Sequence, residues 1–247
     1  MTWAMGNGQW AMGNGQWAMG NGQWAMGNGQ NHVSSSLISQ ALRTQHNSTS
    51  SRNGRCVMSQ QVSNSRPFGP RTFARPVETV PEEEKQSDYI NLRWQSGEGP
   101  YPREKITAGH KIINKYKVIT GRAAFDHGGM TGKDGKYRIF SKIDILPPDT
   151  VCNETYLVIG AYDTLEEAEN LATYMKTKFF RFLISCSLVS QDIPARVYNF
   201  VPIMDMSEQW TDEKLYKYFN LTEQQQEFIA SRIREWPSEE NMDGEDA

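Results

Sequence analysis

Cysteine is scarce in this 247-residue chain: Cys56, Cys152 and Cys186 are the full set, and no two stand in a Cys-x-x-Cys pair. That excludes a disulfide framework and a cysteine-built zinc site. Cys152 begins a strand and Cys186 lies on an apolar helical face, so both are expected as buried, reduced thiols. Histidine is equally thin. His32, His46, His110 and His127 are scattered, and no metal site is expected. No run approaches the roughly 20 apolar residues of a membrane span, so no membrane partner is expected. The N-terminus lacks a basic segment followed by an apolar one, which predicts a cytoplasmic protein. An excess of one charge is also lacking. The net charge of −3 neither demands nor excludes a nucleic-acid partner. Its distribution says more: residues 1–102 carry +2, residues 103–200 carry +3 and residues 201–247 carry −8, a mildly basic centre with an acidic tail. Aliphatic clusters are few in the first hundred residues, which are rich in Gly, Ser, Asn and Gln. One globular domain in the second half is therefore expected rather than two.

What the N-terminus has instead is a repeat. From Trp3 to Gln30 the heptad Trp-Ala-Met-Gly-Asn-Gly-Gln recurs four times without a substitution. No aliphatic residue recurs to build a solenoid core, and Gly loses much entropy on ordering. Disorder is the expectation for residues 1–31, with a short β-stacking tract as the alternative. Translated backwards, the heptad is more informative. TGG-GCA-ATG-GGC-AAT-GGG-CAA encodes it, and that string is TGGGCAA written three times. Seven is not a multiple of three, so gaining or losing one unit by strand slippage shifts the downstream frame. The tract thus reads as the trace of a phase-variable tandem repeat.

Residues 32–64 are Ser-, Asn-, Gln- and Arg-rich without a period and read as a linker. Residues 65–202 are expected to form one compact mixed domain of the α+β class. Its centre is the stretch from Val151 to Pro202. Glu154 to Ile159 reads as a strand closed by Gly160. Thr164 with Glu167 forms a capping box, and Leu165, Ala168, Leu171, Ala172, Met175, Phe179, Phe182, Leu183 and Cys186 follow at helical spacing. That predicts one long helix from Thr164 to Cys186, with Phe179 and Leu183 buried. A second strand is expected at Arg196 to Val201. Asp88 to Gln95, Tyr116 to Thr120 and Tyr137 to Ile143 are further strand expectations, with turns at Tyr101-Pro102-Arg103 and Pro147-Pro148-Asp149. Residues 203–236 are expected as a helical hairpin, a docking appendage capped by Thr211 and by Thr222 with Gln225. Residues 237–247 are expected as an acidic, disordered tail, and Glu82, Glu83 and Glu84 as a surface charge run.

Two patterns that suggest catalysis are incomplete. Gly129-Met130-Thr131-Gly132-Lys133 contains Gly-x-x-Gly-Lys but lacks the first phosphate-loop glycine, and Asp134 stands where a magnesium-binding Ser or Thr belongs. A mobile hairpin loop is expected there. Asp134-Gly135-Lys136, with Asp126 upstream, has the acid-x-Lys spacing of metal-dependent nucleases, but a glycine-flanked turn produces that pattern often. No catalytic residue is assigned.

Several blocks resemble one family. They are Val151 to Gly160, Glu166 to Asn170, Thr177 to Leu183, Val197-Tyr198 with Val201-Pro202, Ser65-Arg66-Pro67-Phe68-Gly69, Lys115 to Val118 and Trp210-Thr211-Asp212-Glu213. Together, over roughly Val57 to Trp236, they are similar to the C-terminal target-recognition region of bacterial adenine-specific restriction-modification proteins of the type IIG kind. In such proteins a DNA methyltransferase is often fused to a nuclease. The resemblance implies double-stranded DNA and a methyltransferase/nuclease portion of the same system as partners. It implies S-adenosylmethionine and magnesium for that catalytic half and no cofactor in this chain. The chain itself has neither a Gly-rich methyl-donor loop nor an Asn-Pro-Pro-Tyr-like motif to hold a flipped base. DNA recognition would use Lys and Arg on phosphates, with a few side chains at base edges. The candidates are Arg66, Arg71, Lys117, Arg122, Lys142, Lys176, Lys178, Arg181 and Arg196. Two alternatives stay open: a self-contained metal-dependent restriction endonuclease, and a protein-interaction fragment with no DNA role.

Overall fold

The structure, a computed structural model, describes residues 4–6, 9–11, 17–20, 23–26, 30–48, 57–80, 86–126, 131–132 and 134–237. The expectations for Cys56, His127, the 82–84 acidic run, Gly128 to Met130, Lys133 and the tail beyond residue 237 lie outside these residues, as do the side chains of His32 and His46.

The fold is α+β, as expected, and has three layers. The middle layer is a sheet of β7 (Tyr116–Gly121), β8 (Ile143–Leu146) and β10 (Tyr156–Tyr162), in the order β10-β7-β8 and antiparallel throughout. The second layer is a sheet of β5 (Tyr89–Trp94), β6 (Gly97–Pro102) and β9 (Thr150–Cys152), in the order β6-β5-β9, with β5 and β9 parallel. Helices form the third. Alternation along the middle strands explains the stacking. Val118, Leu157 and Ile159 face the helices, while Ile119, Leu146 and Val158 face the second sheet with Ile90, Leu92 and Val151. Because the middle sheet is covered on both faces, β7 and β10 read as nearly continuous apolar runs.

Gly160 does not close its strand. β10 runs on to Tyr162 through a bulge between Val158 and Gly160. A Cβ at Gly160 would lie 2.7 Å from Leu171 Cδ2, so the missing side chain lets a helix sit against the sheet.

The long helix is two helices, α2 (Leu165–Lys176) and α3 (Lys178–Ser185). The capping box at Thr164 and Glu167 is present. The break comes at Thr177, whose backbone is extended and whose Oγ1 accepts from the Phe180 N–H at 3.1 Å while donating to the Tyr174 carbonyl at 2.7 Å. A remote carboxylate completes the new N-terminus: Asp212 accepts from the N–H groups of Lys178 and Phe179, each at 2.9 Å. Arg181 Nε donates to the Lys176 and Thr177 carbonyls at 3.0 and 3.3 Å, covering the end of α2. The apolar spacing reads straight through Thr177 because Ala168, Leu171, Ala172 and Met175 of α2 and Phe179, Phe182 and Leu183 of α3 enter one hydrophobic cluster. Phe179 and Leu183 are fully buried, as expected.

Two strand expectations are corrected. Ala195–Phe200 is a 3₁₀ segment, not a strand. Val197, Tyr198, Phe200 and Val201 are buried, and that three-residue spacing fits three residues per turn rather than alternation. At residues 137–143 only Ile143 belongs to a strand, β8. Ile139 adopts a positive φ of 76° there. The N–H groups of Arg138 and Ile139 both donate to Asp126 Oδ2 at 2.8 Å, which removes two donors a strand neighbour would use. β6 was not foreseen, since Gly-Glu-Gly-Pro-Tyr-Pro carries two prolines; at the edge of a sheet these are tolerated.

The linker and appendage expectations also change. Residues 30–48 form a helix, α1 (Gln30–Ser48), whose Leu37, Ile38, Ala41 and Leu42 are buried in the main core. Gln40 Nε2 donates to the Phe219 and Asn220 carbonyls at 2.7 and 2.9 Å. α4 (Asp212–Tyr218) and α5 (Glu223–Arg232) carry the expected Thr211 and Thr222 caps. They are no separate appendage: Leu215, Phe219, Ile229 and Ile233 share one hydrophobic cluster with α2 and α3, and Phe219 stacks on Phe179 with ring centroids 4.9 Å apart. In the repeat tract, where disorder was expected, four short strands pair antiparallel in chain order: β1 (Ala4–Gly6), β2 (Gln9–Ala11), β3 (Trp17–Gly20) and β4 (Gln23–Met26). Gly6 pairs with Gln9 and Gly20 with Gln23, and the dipeptide between each pair in the sequence is Asn-Gly, the strongest short hairpin signal. Among the described residues no helix is long and apolar enough to cross a membrane.

Candidate nucleic-acid interface

The loop after the first 3₁₀ turn, residues 65–76, is braced by Pro67, Pro70 and Pro76 and anchored by Phe68, which is fully buried. The Phe68 carbonyl accepts from the N–H groups of Thr107 and Ala108 at 3.1 and 3.3 Å. Gly69 has φ +105°, and a Cβ there would lie 2.1 Å from Thr107 Oγ1; only glycine fits both the conformation and the space. The far end of the loop is tied to the turn before β10. The Glu154 N–H donates to the Pro70 carbonyl at 3.0 Å, and Glu154 Oε1 accepts from the Thr72 N–H and hydroxyl at 3.1 and 3.3 Å. Asn153 Nδ2 donates to the Thr72 carbonyl at 3.4 Å.

This scaffold exposes Arg66 and Arg71. Both act on Glu154 electrostatically. The Thr72 hydrogen bonds foremost, with Arg71 and Arg66 adding to them, hold the Glu154 carboxyl below its ordinary value. Arg122, half-buried at the end of β7, joins them across a shallow cleft lined by Thr72, Glu154, Thr155, Gln191 and Asp192, and pairs with Asp192 at 3.5 Å. Lys142 is exposed and shares Asp144 with Arg93, at 3.3 and 3.1 Å. The Arg93 carbonyl accepts from the Asn153 N–H at 3.2 Å, which ties that pair to the same turn. Arg66 and Arg71 thus act on Glu154, and Arg122 lines the cleft that Thr72 and Glu154 also line; Lys142 is linked to the same turn only through Asp144 and Arg93.

The other candidates are elsewhere. Arg196 is exposed on the 3₁₀ segment, and Lys176 is half-buried at the end of α2. Lys178, half-buried, is paired with Glu235. Two must be withdrawn. Lys117 is fully buried, with Nζ donating to the Ile113 and Pro147 carbonyls at 2.8 and 2.7 Å; burial lowers its amine to about 8. It lies two residues from Ile119 on the strand face that meets the second sheet, so its ammonium cannot reach a duplex. Arg181 is 1% exposed and holds helix carbonyls, with burial lowering its guanidinium to about 10.

Sequence reasoning missed Arg75 and Phe73 on the same loop. Arg75 Nη1 donates to the Thr72 and Ala74 carbonyls at 2.6 and 2.9 Å, and its Cζ lies 4.2 Å from the Trp94 ring centroid. The signal was available: Arg75-Pro76 repeats the Arg66-Pro67 dipeptide.

The nuclease-like carboxylates serve the fold. Asp126 is buried on two backbone N–H groups, and Asp134 accepts from the Lys136 N–H at 3.1 Å and pairs with Arg234 at 3.0 Å. Among the described residues no group of three or more His, Cys, Asp or Glu could hold a metal ion. The phosphate-loop pattern falls partly on Gly129, Met130 and Lys133, outside the described residues. Compared with known proteins, the chain matches no protein-family model, no curated protein and no solved structure.

Proposed function

We propose that residues 65–202 bind double-stranded DNA as the target-recognition part of an adenine-specific restriction-modification enzyme. The observation that supports this most is the braced loop, which holds Arg66 and Arg71 exposed on a backbone tied to Glu154, Thr107 and Ala108. Guanidinium groups fixed before binding lose less entropy on meeting phosphates or guanine edges. Of the acidic groups at hand, Glu154 is engaged by the Thr72 N–H and hydroxyl, while Asp192 pairs with Arg122, a contact that a phosphate would displace. The hydrogen bonds of Asp126 and Asp134 favour recognition over a self-contained nuclease. The burial of α4 and α5 in the core disfavours a free helical docking arm.

The chemistry would be divided. This chain positions the duplex, and a methyltransferase/nuclease portion of the same system, using S-adenosylmethionine and magnesium, extrudes and methylates the adenine. The repeat tract is then the slippage site that joins or separates the two reading frames. Sequencing the locus tests this second part. Synonymous codons that break the TGGGCAA period, or upstream DNA without methyltransferase motifs in any frame, would refute it.

Binding is tested by fluorescence anisotropy with a labelled duplex over a range of salt. A salt-dependent association is expected, and Arg66→Ala with Arg71→Ala should lower the slope of log K against log salt by up to about 2. Association that ignores salt, or none at low ionic strength, would overturn the reading. The purified chain alone should incorporate no labelled methyl groups.

A further inference from the structure

Phe73 is 75% exposed, the most exposed large apolar side chain among the described residues. Isolated surface aromatics are common, but the backbone turn that carries this one is pinned. The Ala74 N–H donates to the Arg71 carbonyl at 2.9 Å, which makes residues 71–74 a β-turn with Thr72 and Phe73 at its centre. Thr72 is pinned twice to Glu154, and its carbonyl accepts from both Arg75 and Asn153. Arg75 is fixed in turn over Trp94. The turn therefore offers a ring at its tip, with Arg71 two residues before it and Arg75 two after, both exposed. An exposed ring alone could meet any apolar partner. A ring with an exposed arginine two residues to each side fits a partner with π-faces between negative charges, which describes stacked bases between phosphates.

We infer that Phe73 is a wedge that inserts between stacked bases of a bound duplex while Arg71 and Arg75 neutralise the flanking phosphates. The inference rests on the DNA-binding reading above and adds where and how the duplex is engaged. Wedging costs the unstacking of one base step and is repaid by stacking on the ring and by the phosphate contacts that the opened step permits. A duplex that already contains a mismatch has part of that cost removed. It should be preferred over a fully paired duplex of the same length and charge.

The experiment compares the full chain on two fluorescein-labelled 25-base-pair duplexes, one fully paired and one with a central mismatch. The wild-type chain should bind the mismatched duplex roughly tenfold more tightly, on the scale of a base–aromatic stack. Phe73→Ala should bind both equally and keep the salt dependence; the exposed position makes loss of folding no concern. Phe73→Leu, still an apolar wedge, should keep part of the preference. Arg71→Ala should weaken both duplexes alike and keep the ratio. Equal wild-type affinity for the two duplexes, or an unchanged preference in Phe73→Ala, overturns the wedge and leaves DNA binding standing. No binding to either duplex overturns both and directs the turn toward an acidic protein partner.

Discussion

Asp212→Ala removes the carboxylate that starts α3 from outside. In the native chain Oδ2 and Oδ1 accept from the Lys178 and Phe179 N–H groups, each at 2.9 Å. Hydrogen bonds to a charged acceptor contribute about 1.5–3 kcal/mol each, and loss of an N-cap alone costs about 1 kcal/mol and up to about 2. The carboxylate is itself desolvated, and this burial pushes its carboxyl above the ordinary value despite the two N–H donors. Relief of that cost offsets part of the loss, so the sum of two full bonds, about 3–6 kcal/mol, is an upper bound. An expected loss of about 2–3 kcal/mol follows. For a chain of this size that corresponds to a fall in Tm of very roughly 5–10 °C. Asp212→Asn keeps one acceptor and should lose about half as much. Thr177→Val removes the neighbouring cap on Phe180 and should be less than additive with Asp212→Ala, because both stabilise the same helical turn. Urea unfolding followed by tryptophan fluorescence measures the wild type, the three single variants and the Thr177→Val/Asp212→Ala double variant. A loss below about 0.5 kcal/mol for Asp212→Ala would refute the reasoning: the break at Thr177 would then be held by packing alone.

Three further outcomes are expected. Phe179→Ala should cost about 3–5 kcal/mol and Leu183→Ala about 2–5, since both are fully buried; unchanged melting of both variants would sink the proposed packing. Lys117 is deprotonated near pH 8 in the folded chain and near its ordinary 10.5 in the unfolded one, so the unfolded state holds more protons between those values. Stability of the wild type relative to Lys117→Met should therefore rise with pH from about 8 toward 10.5; a flat or falling difference in pH-dependent urea unfolding would contradict the buried amine. Burial pushes the thiols of Cys152 and Cys186 up to about 12, so neither should react with iodoacetamide at pH 8 until the chain is unfolded; mass spectrometry of labelling at either in the native protein would disprove their enclosure.

Local signals were legible wherever the chemistry is local. The caps at Thr164, Thr211 and Thr222 need only residues three apart, and all three form as read. The α+β class followed from the alternation of strand and helix periods, and the buried thiols from apolar neighbours. The prolines around Arg66 and Arg71 marked the loop that the candidate interface is built on. Properties set by distant partners were not legible. Thr177 caps α3 through Phe180, but the N-terminus is completed by Asp212 from another segment, and no spacing within residues 164–186 reveals that. The segment at 195–200 has a strand's composition but lies among α3 and the first 3₁₀ turn, where a three-residue repeat buries its side chains. Lys117 and Arg181 look like ordinary surface cations. Only the second sheet over β7 and the carbonyls at the end of α2 turn them inward. Conversely, nothing in the sequence around Phe73 separates it from the buried Phe68 five residues earlier. The packing decides: Phe68 is enclosed with Ile90, Leu92, Tyr101 and Ile106, while the hydrogen-bonded turn at 71–74 leaves Phe73 in solvent. Sequence by itself determined which segments could form helices, strands and a braced arginine loop, because those preferences are short-range. Which cations face solvent and which aromatic stays exposed was decided only by tertiary structure, because burial is a property of what packs on a residue.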